Sequence, residues 1–340
     1  MREFKGAIGI RGDMLYCPLP VYIDPYWTCE PNCWHCYSRR LNKVWGWDFR
    51  AANPDKIYKR LKNPRGTSSV SQALQRKKTI RIGNKADPFQ PWEEEYKIST
   101  KIVEIMRDLD WEIVIQTRFP RRVYQMVGDM LKPNDTVMGV ISPGMSWDQM
   151  VLERDLTEPV QNRLWALYKL QSICNVGVNG EPFIPGLHSI KGFKQTLRNL
   201  KMYGIDRYNT YNLHLNEHVA KNLHYIGLDI EKIWEMNQDH NWRPIQKKLV
   251  SVAEKMGVTL GCPDFINTGL EDLQKANTCC GINVTNPCKF NTHYWKYLYQ
   301  KGEGPEEIVD ATWEEIGDLE HGKRIIYGTD KDFYTLKDIV

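Results

Sequence analysis

Cys29, Cys33 and Cys36 stand within eight residues, as C-x3-C-x2-C in the run TCEPNCWHCYSRR. Thiolate is a soft ligand that selects iron–sulfur clusters, zinc or copper(I). A cubane [4Fe–4S] cluster normally takes four cysteines. A loop that offers three leaves one iron open to a substrate or cofactor. A structural zinc site needs four ligands, usually as two separated pairs. His35 stands nearby as a fourth, but its neighbours Trp34 and Cys36 make joint coordination awkward. Disulfides belong to oxidising compartments, and nothing in the sequence marks the chain as secreted.

Such a loop needs a scaffold, and the chain reads as one. Val21 to Asp24 is a short apolar run leading straight into the cysteines. Strand-like runs follow at Thr79 to Gly83, Trp111 to Thr117, Thr136 to Ser142, Asn175 to Pro185 and Arg207 to Leu213. Helical patterns lie between them, at Tyr96 to Asp108, Arg122 to Leu131, Glu158 to Gln171 and Ser189 to Met202. Leu164, Leu167 and Leu170 fall on one helical face. This alternation predicts parallel βα units. The fold class is α/β, a partial (β/α)6 TIM-type barrel, with reactive groups at the C-terminal ends of its strands. Past about residue 215 the pattern changes to helical stretches near Asp229 to Gln238 and Pro244 to Met256, then VTLGCPDF. Residues 1–224 read as the core barrel, with a hydrophilic insertion near 50–78. Residues 225–340 read as a C-terminal extension with a candidate auxiliary metal site.

The chain has 340 residues, 41% of them hydrophobic, and a net charge of +4. That charge is weak, but arginine and lysine cluster at Arg39–Arg40, Lys59 to Arg65, Arg76 to Lys78 and Arg118 to Arg122. Such clusters neutralise phosphates or simply face solvent. No run reaches the roughly 18 apolar residues of a membrane span. The start, MREFKGAIGIRGD, lacks the apolar centre of a signal peptide. Nine cysteines without such a signal point to a reducing, cytoplasmic setting.

Five segments, in order over residues 24–186, resemble the radical S-adenosylmethionine (SAM) superfamily, in its spore photoproduct lyase-like or "DNA repair photolyase" branch. They are DPYWTCEPNCWHCYSRR, GNKADPFQPWEEEYKISTKIVEIM, IQTRFPRR, LTEPVQNRLWALYKL and PFIPG. The resemblance implies that Cys29, Cys33 and Cys36 bind a [4Fe–4S] cluster whose open iron chelates SAM. An aromatic residue commonly precedes the last cysteine there, and His35 departs from that. Tyr37 is then a candidate for packing against the adenine. Asn84 and Asp87 replace a Gly-Gly-Glu-type segment as candidates for the SAM amino group. Arg118 is placed to pair with the SAM carboxylate, and Ser142 to contact its methionine or ribose part. Glu158 and Arg163 match an "EP…RL" pair and read as a structural ion pair.

Cys262, Cys279, Cys280 and Cys288 cluster in the tail. Four thiols can hold a second iron–sulfur cluster or a zinc ion, relay a radical, or be buried small hydrophobes. The function expected is reductive cleavage of SAM to a 5′-deoxyadenosyl radical, which takes hydrogen from a nucleic-acid base. A flavodoxin-type donor or reductase would supply the electron. The alternatives are a peptide or small-metabolite substrate, or a zinc-stabilised nucleic-acid-binding module without catalysis.

Overall fold

The computed structural model describes residues 2–10, 19, 21–31, 33–38, 49–66, 69–153 and 156–261, and there the apolar runs pair into an eight-stranded sheet. Numbered along the chain, its strands are β2 (Ile8–Ile10), β3 (Val21–Ile23), β5 (Ile80–Ile82), β6 (Ile113–Thr117), β7 (Thr136–Val140), β8 (Asn175–Asn179), β9 (Arg207–Asn209) and β10 (Thr259–Gly261). The short strands β1 (Arg2–Glu3) and β4 (Arg50–Ala51) pair apart from it. From β3 to β10 the neighbours are parallel and follow chain order. β2 runs antiparallel along β3. Parallel crossovers share one hand, so serial winding sets the connecting helices on one face. The result is an open partial barrel of mixed α/β type. β10 adds a seventh parallel strand to the six expected, and it lies past residue 224.

The strands were readable because parallel strands are covered on both faces and become near-continuous apolar runs. All three residues of β5 and all five of β7 are buried. The outer helices bury one stripe each. Ile98, Ile102, Val103 and Met106 do so in helix Ile98–Asp108, and Leu164, Leu167 and Leu170 in helix Val160–Leu170. Each such side chain contributes about 1.5–3 kcal/mol on leaving water. Gly139 in β7 gives Leu167 its place: a Cβ there would meet Leu167 Cδ1 at 2.7 Å.

The structure departs from the sequence pattern in three places. The hydrophilic stretch 50–78 contains helices Pro54–Lys62 and Ser69–Gln75. The first is capped by Asn53, whose side chain accepts from Asp55 N and Lys56 N, and it buries only Ile57 and Leu61. Helix Glu217–Tyr225, capped by Asn216, was not expected. Helix Asp239–Lys255 starts before Pro244 and carries that proline inside it. A second apolar cluster sits above the barrel mouth. It joins Leu152, Ile184 and Leu213, from three strand-to-helix loops, to Val219, Leu223, Ile230 and Ile233.

Gly83 turns the chain out of β5 with φ +87°, and its amide donates to Ile23 O at 2.8 Å. A Cβ there would lie 2.6 Å from Pro88 Cδ. Gly83→Ala is therefore expected to destabilise the fold by about 1–3 kcal/mol, read by urea unfolding. An unchanged midpoint would show that this turn carries no strain limit.

Candidate active site

The loops after β3, β5, β6, β8 and β9 surround a cavity of about 1280 Å³, counted with its open mouth. Cys29, Cys33 and Cys36 line it together with Tyr37, Asn84, Asp87 and Arg118.

The cysteine loop is strapped from several sides. Gln90 Nε2 donates to Thr28 O at 2.9 Å, and its Oε1 accepts from Glu30 N at 2.6 Å. Tyr26 Oη donates to the fully buried Glu93, which also accepts from Ser99 N at 3.0 Å and Thr100 N at 2.7 Å. Trp34 N donates to Leu152 O at 2.8 Å, and Trp34 O accepts from Asn222 Nδ2 at 3.2 Å. Each sulfur has its own contact. Asp87 N donates to Cys29 Sγ at 2.8 Å, Cys33 Sγ donates to Glu153 O at 3.6 Å, and Cys36 Sγ and Ser38 Oγ share a hydrogen bond at 3.1 Å.

All three cysteines are free thiols. Burial pushes the Cys33 thiol up to about 12 and that of Cys29 well above its ordinary range. A metal that binds them displaces those protons. Among the described residues, no three His, Cys, Asp or Glu side chains converge as ligands of a single ion. A cubane does not ask that of them, because each thiolate takes a different iron. Three soft donors in one cavity, with a guanidinium beside them, fit an iron–sulfur cluster. A buried polar atom without a hydrogen-bond partner adds to the fit: Asn179 Oδ1 belongs to a residue lining the cavity.

Arg118 is held from two directions. Its Nη2 donates to His35 Nε2 at 3.0 Å. Its Nε forms an ion pair with Glu153 Oε1 at 3.2 Å, at an angle short of a hydrogen bond. Burial, with Arg118 adding to it, drives the His35 ring down to about 3, so it stays neutral. The Glu153 carboxylate is 1% exposed and also binds Arg163 Nη2. Burial opposes its charge, but Arg163 and Arg118 outweigh that and hold it near 2. Arg163 is itself fixed by Val140 O at 2.7 Å and Glu158 O at 2.8 Å.

The expected residues fall in different places. Tyr37 lines the cavity with its ring 5.2 Å from His214, which stacks on Tyr211 at 4.7 Å. Asn84 lines it too, and its Oδ1 accepts from Arg81 Nη2 at 2.6 Å. Asp87 accepts from Thr117 Oγ1 at 2.5 Å, Arg118 N at 2.6 Å and Phe89 N at 3.0 Å, which ties the end of β5 to the end of β6. Ser142 is buried and does not line the cavity. Glu158 and Arg163 are not joined side chain to side chain. The Glu158 carboxylate accepts from Arg121 N and Arg122 N at 3.1 Å each, at the N-terminus of helix Pro120–Val127, where an anion is favoured. Cys262, Cys279, Cys280 and Cys288 lie outside the described residues. Glu153 and Gln90 were missed. Neither has a spacing signal, since their partners lie far away in sequence.

A serially wound parallel sheet with a mouth built from its strand-to-helix loops has counterparts among solved structures. Among solved structures, the chain is similar to a cysteine-to-alanine variant of spore photoproduct lyase with dinucleoside spore photoproduct. The TM-score is 0.56 at 14% identity, over 72% of this chain and 76% of that one. A double variant of the same enzyme, with bound AdoMet and the dinucleoside, matches at TM-score 0.55 and 11% identity over the same shares. This is a likeness of fold. No family model matches the sequence, and no curated protein matches it. Among the described residues no helix is long and apolar enough to cross a membrane.

Proposed function

We propose that this chain is a radical SAM enzyme whose cluster is held by Cys29, Cys33 and Cys36. The observation that carries it is three free thiols in one cavity at the mouth of a radical SAM fold, with Arg118 beside them. A [4Fe–4S] cluster held by these three cysteines would supply the electron for reductive cleavage of SAM, and the resulting 5′-deoxyadenosyl radical would serve to take hydrogen from a substrate carbon. The protein's own part is to bind, orient and exclude water. Arg118 presents a fork that matches a carboxylate. Asp87 fixes the loop that carries Arg118. Asn84 and Tyr37 face the same cavity as candidates for the amino group and the adenine, and Ser142, buried just past β7, is a candidate for the methionine or ribose part.

For the substrate we favour a nucleic-acid base. Two observations support that choice. The similar lyase structure holds a dinucleoside, and the cavity carries the rings of Tyr37, Tyr211 and His214, a surface suited to stacking a base. The electron donor is proposed to be of flavodoxin type, and the setting cytoplasmic. We propose a barrel to residue 224 and an extension beyond it that returns β10 to the barrel sheet, with a second cluster or zinc ion on the tail cysteines. If the tail binds a cluster, Cys288→Ala lowers iron per chain, and unchanged iron removes that idea.

The test is anaerobic reconstitution of the full chain, followed by dithionite reduction with SAM. A brown protein that forms 5′-deoxyadenosine is expected, with turnover rising on DNA or tRNA but not on peptide pools. A colourless, zinc-loaded protein that forms none would overturn the reading.

A further inference from the structure

We propose that Glu153 is a positioning residue, which fixes the Arg118 guanidinium for the SAM carboxylate and balances the charge of Arg163. This rests on the radical SAM reading above. Glu153 ends a five-residue π-helical turn, Gln149–Glu153. Such turns are rare and concentrate at functional sites. Here the turn brings one residue to two places at once. The backbone carbonyl of Glu153 meets Cys33 Sγ at 3.6 Å, and its carboxylate sits between two arginines. The preceding carbonyl, of Leu152, holds Trp34 N in the cysteine loop.

The order of anchoring gives the carboxylate its role. Arg163 is secured by the carbonyls of Val140 and Glu158, so it does not depend on Glu153 for its place. Arg163 holds Glu153, Glu153 holds Arg118, and Arg118 faces the cavity. The other side-chain partner of Arg118 is the ring of His35, which orients it through one hydrogen bond. With a neutral side chain at 153, two guanidinium ions share a buried space without their common anion. Arg118 is the more exposed of the two, 20% against 0%, and is the one free to swing away. Removing an anion beside the cluster also favours its more negative, reduced form.

The test compares reconstituted full-length wild type, Glu153→Gln and Glu153→Asp. Four quantities are read: iron per chain, the SAM dissociation constant by anaerobic dialysis, the midpoint potential by spin-resonance titration, and the melting temperature of the cluster-free chain. Glu153→Gln is expected to keep wild-type iron, bind SAM at least tenfold more weakly (about 1.4 kcal/mol) and show a higher potential. Glu153→Asp, which keeps the charge, is expected to recover part of both. SAM affinity within twofold of wild type and an unmoved potential would make Glu153 a structural brace and overturn the inference, whatever the melting temperature does. Should Glu153→Gln not fold, the double variant Glu153→Gln, Arg163→Gln takes its place, with the same loss of SAM affinity expected and the same null result overturning it. If wild type itself takes up no cluster or binds no SAM, the radical SAM reading fails and this inference with it. If wild type binds SAM and the variants match it, this inference alone fails.

Discussion

Cys33→Ala is expected to give a folded chain that forms no 5′-deoxyadenosine from SAM. Cys33 is buried in the cavity between Cys29 and Cys36, and its removal leaves two thiols where a cubane with one open iron needs three. Loss of contacts that merely orient a ligand costs about 10–100-fold in metal affinity or activity. Loss of a ligand should exceed that and take turnover below detection. The fold should survive. The loop is strapped by Gln90, Leu152 and Asn222 through hydrogen bonds to the backbone of Thr28, Glu30 and Trp34, which the substitution leaves in place. Truncation removes roughly one methylene's worth of burial, about 1 kcal/mol. Chromatography of the nucleoside product and a thermal melt check both halves. Wild-type levels of 5′-deoxyadenosine would refute the ligand assignment.

The second large effect is on stability. Arg163→Ala is expected to cost about 3–5 kcal/mol in urea unfolding of the cluster-free chain, because it strips a buried carboxylate of its better partner. Both side chains of the pair are at most 1% exposed, so water cannot screen the loss. The same substitution leaves Val140 O and Glu158 O without the donors they now have. Arg163→Met, of similar bulk, should restore packing but not the pairing, and should remain well below wild type. A loss under about 1 kcal/mol for Arg163→Ala would mean that Glu153 finds another partner.

How much of this could be read in advance depends on where the information sits. The cysteine loop is legible because its meaning lies in spacing along the chain. β6 and β7 are legible because burial on both faces writes them largely in Ile, Val and Met. Helix Pro54–Lys62 was obscured by its polarity, with two buried residues against a charged face. A local signal was present all the same: Asn53 followed by Pro54, an acid in the first turn and bases in the last. Helix Glu217–Tyr225 had a weaker one in Asn216. Arg163 was noticed, but its partner was taken to be Glu158, five residues away. The fold supplies Glu153 instead and leaves the Glu158 carboxylate to a helix end. Nothing in MVLERDLTEP distinguishes its first glutamate, because both arginines reach it only after β6 and β7 have paired.

Gln90 grips the cysteine loop at two backbone atoms on either side of Cys29. The shape of the backbone around that cysteine therefore depends on a glutamine amide from the next strand-to-helix turn, a side chain with no part in holding metal.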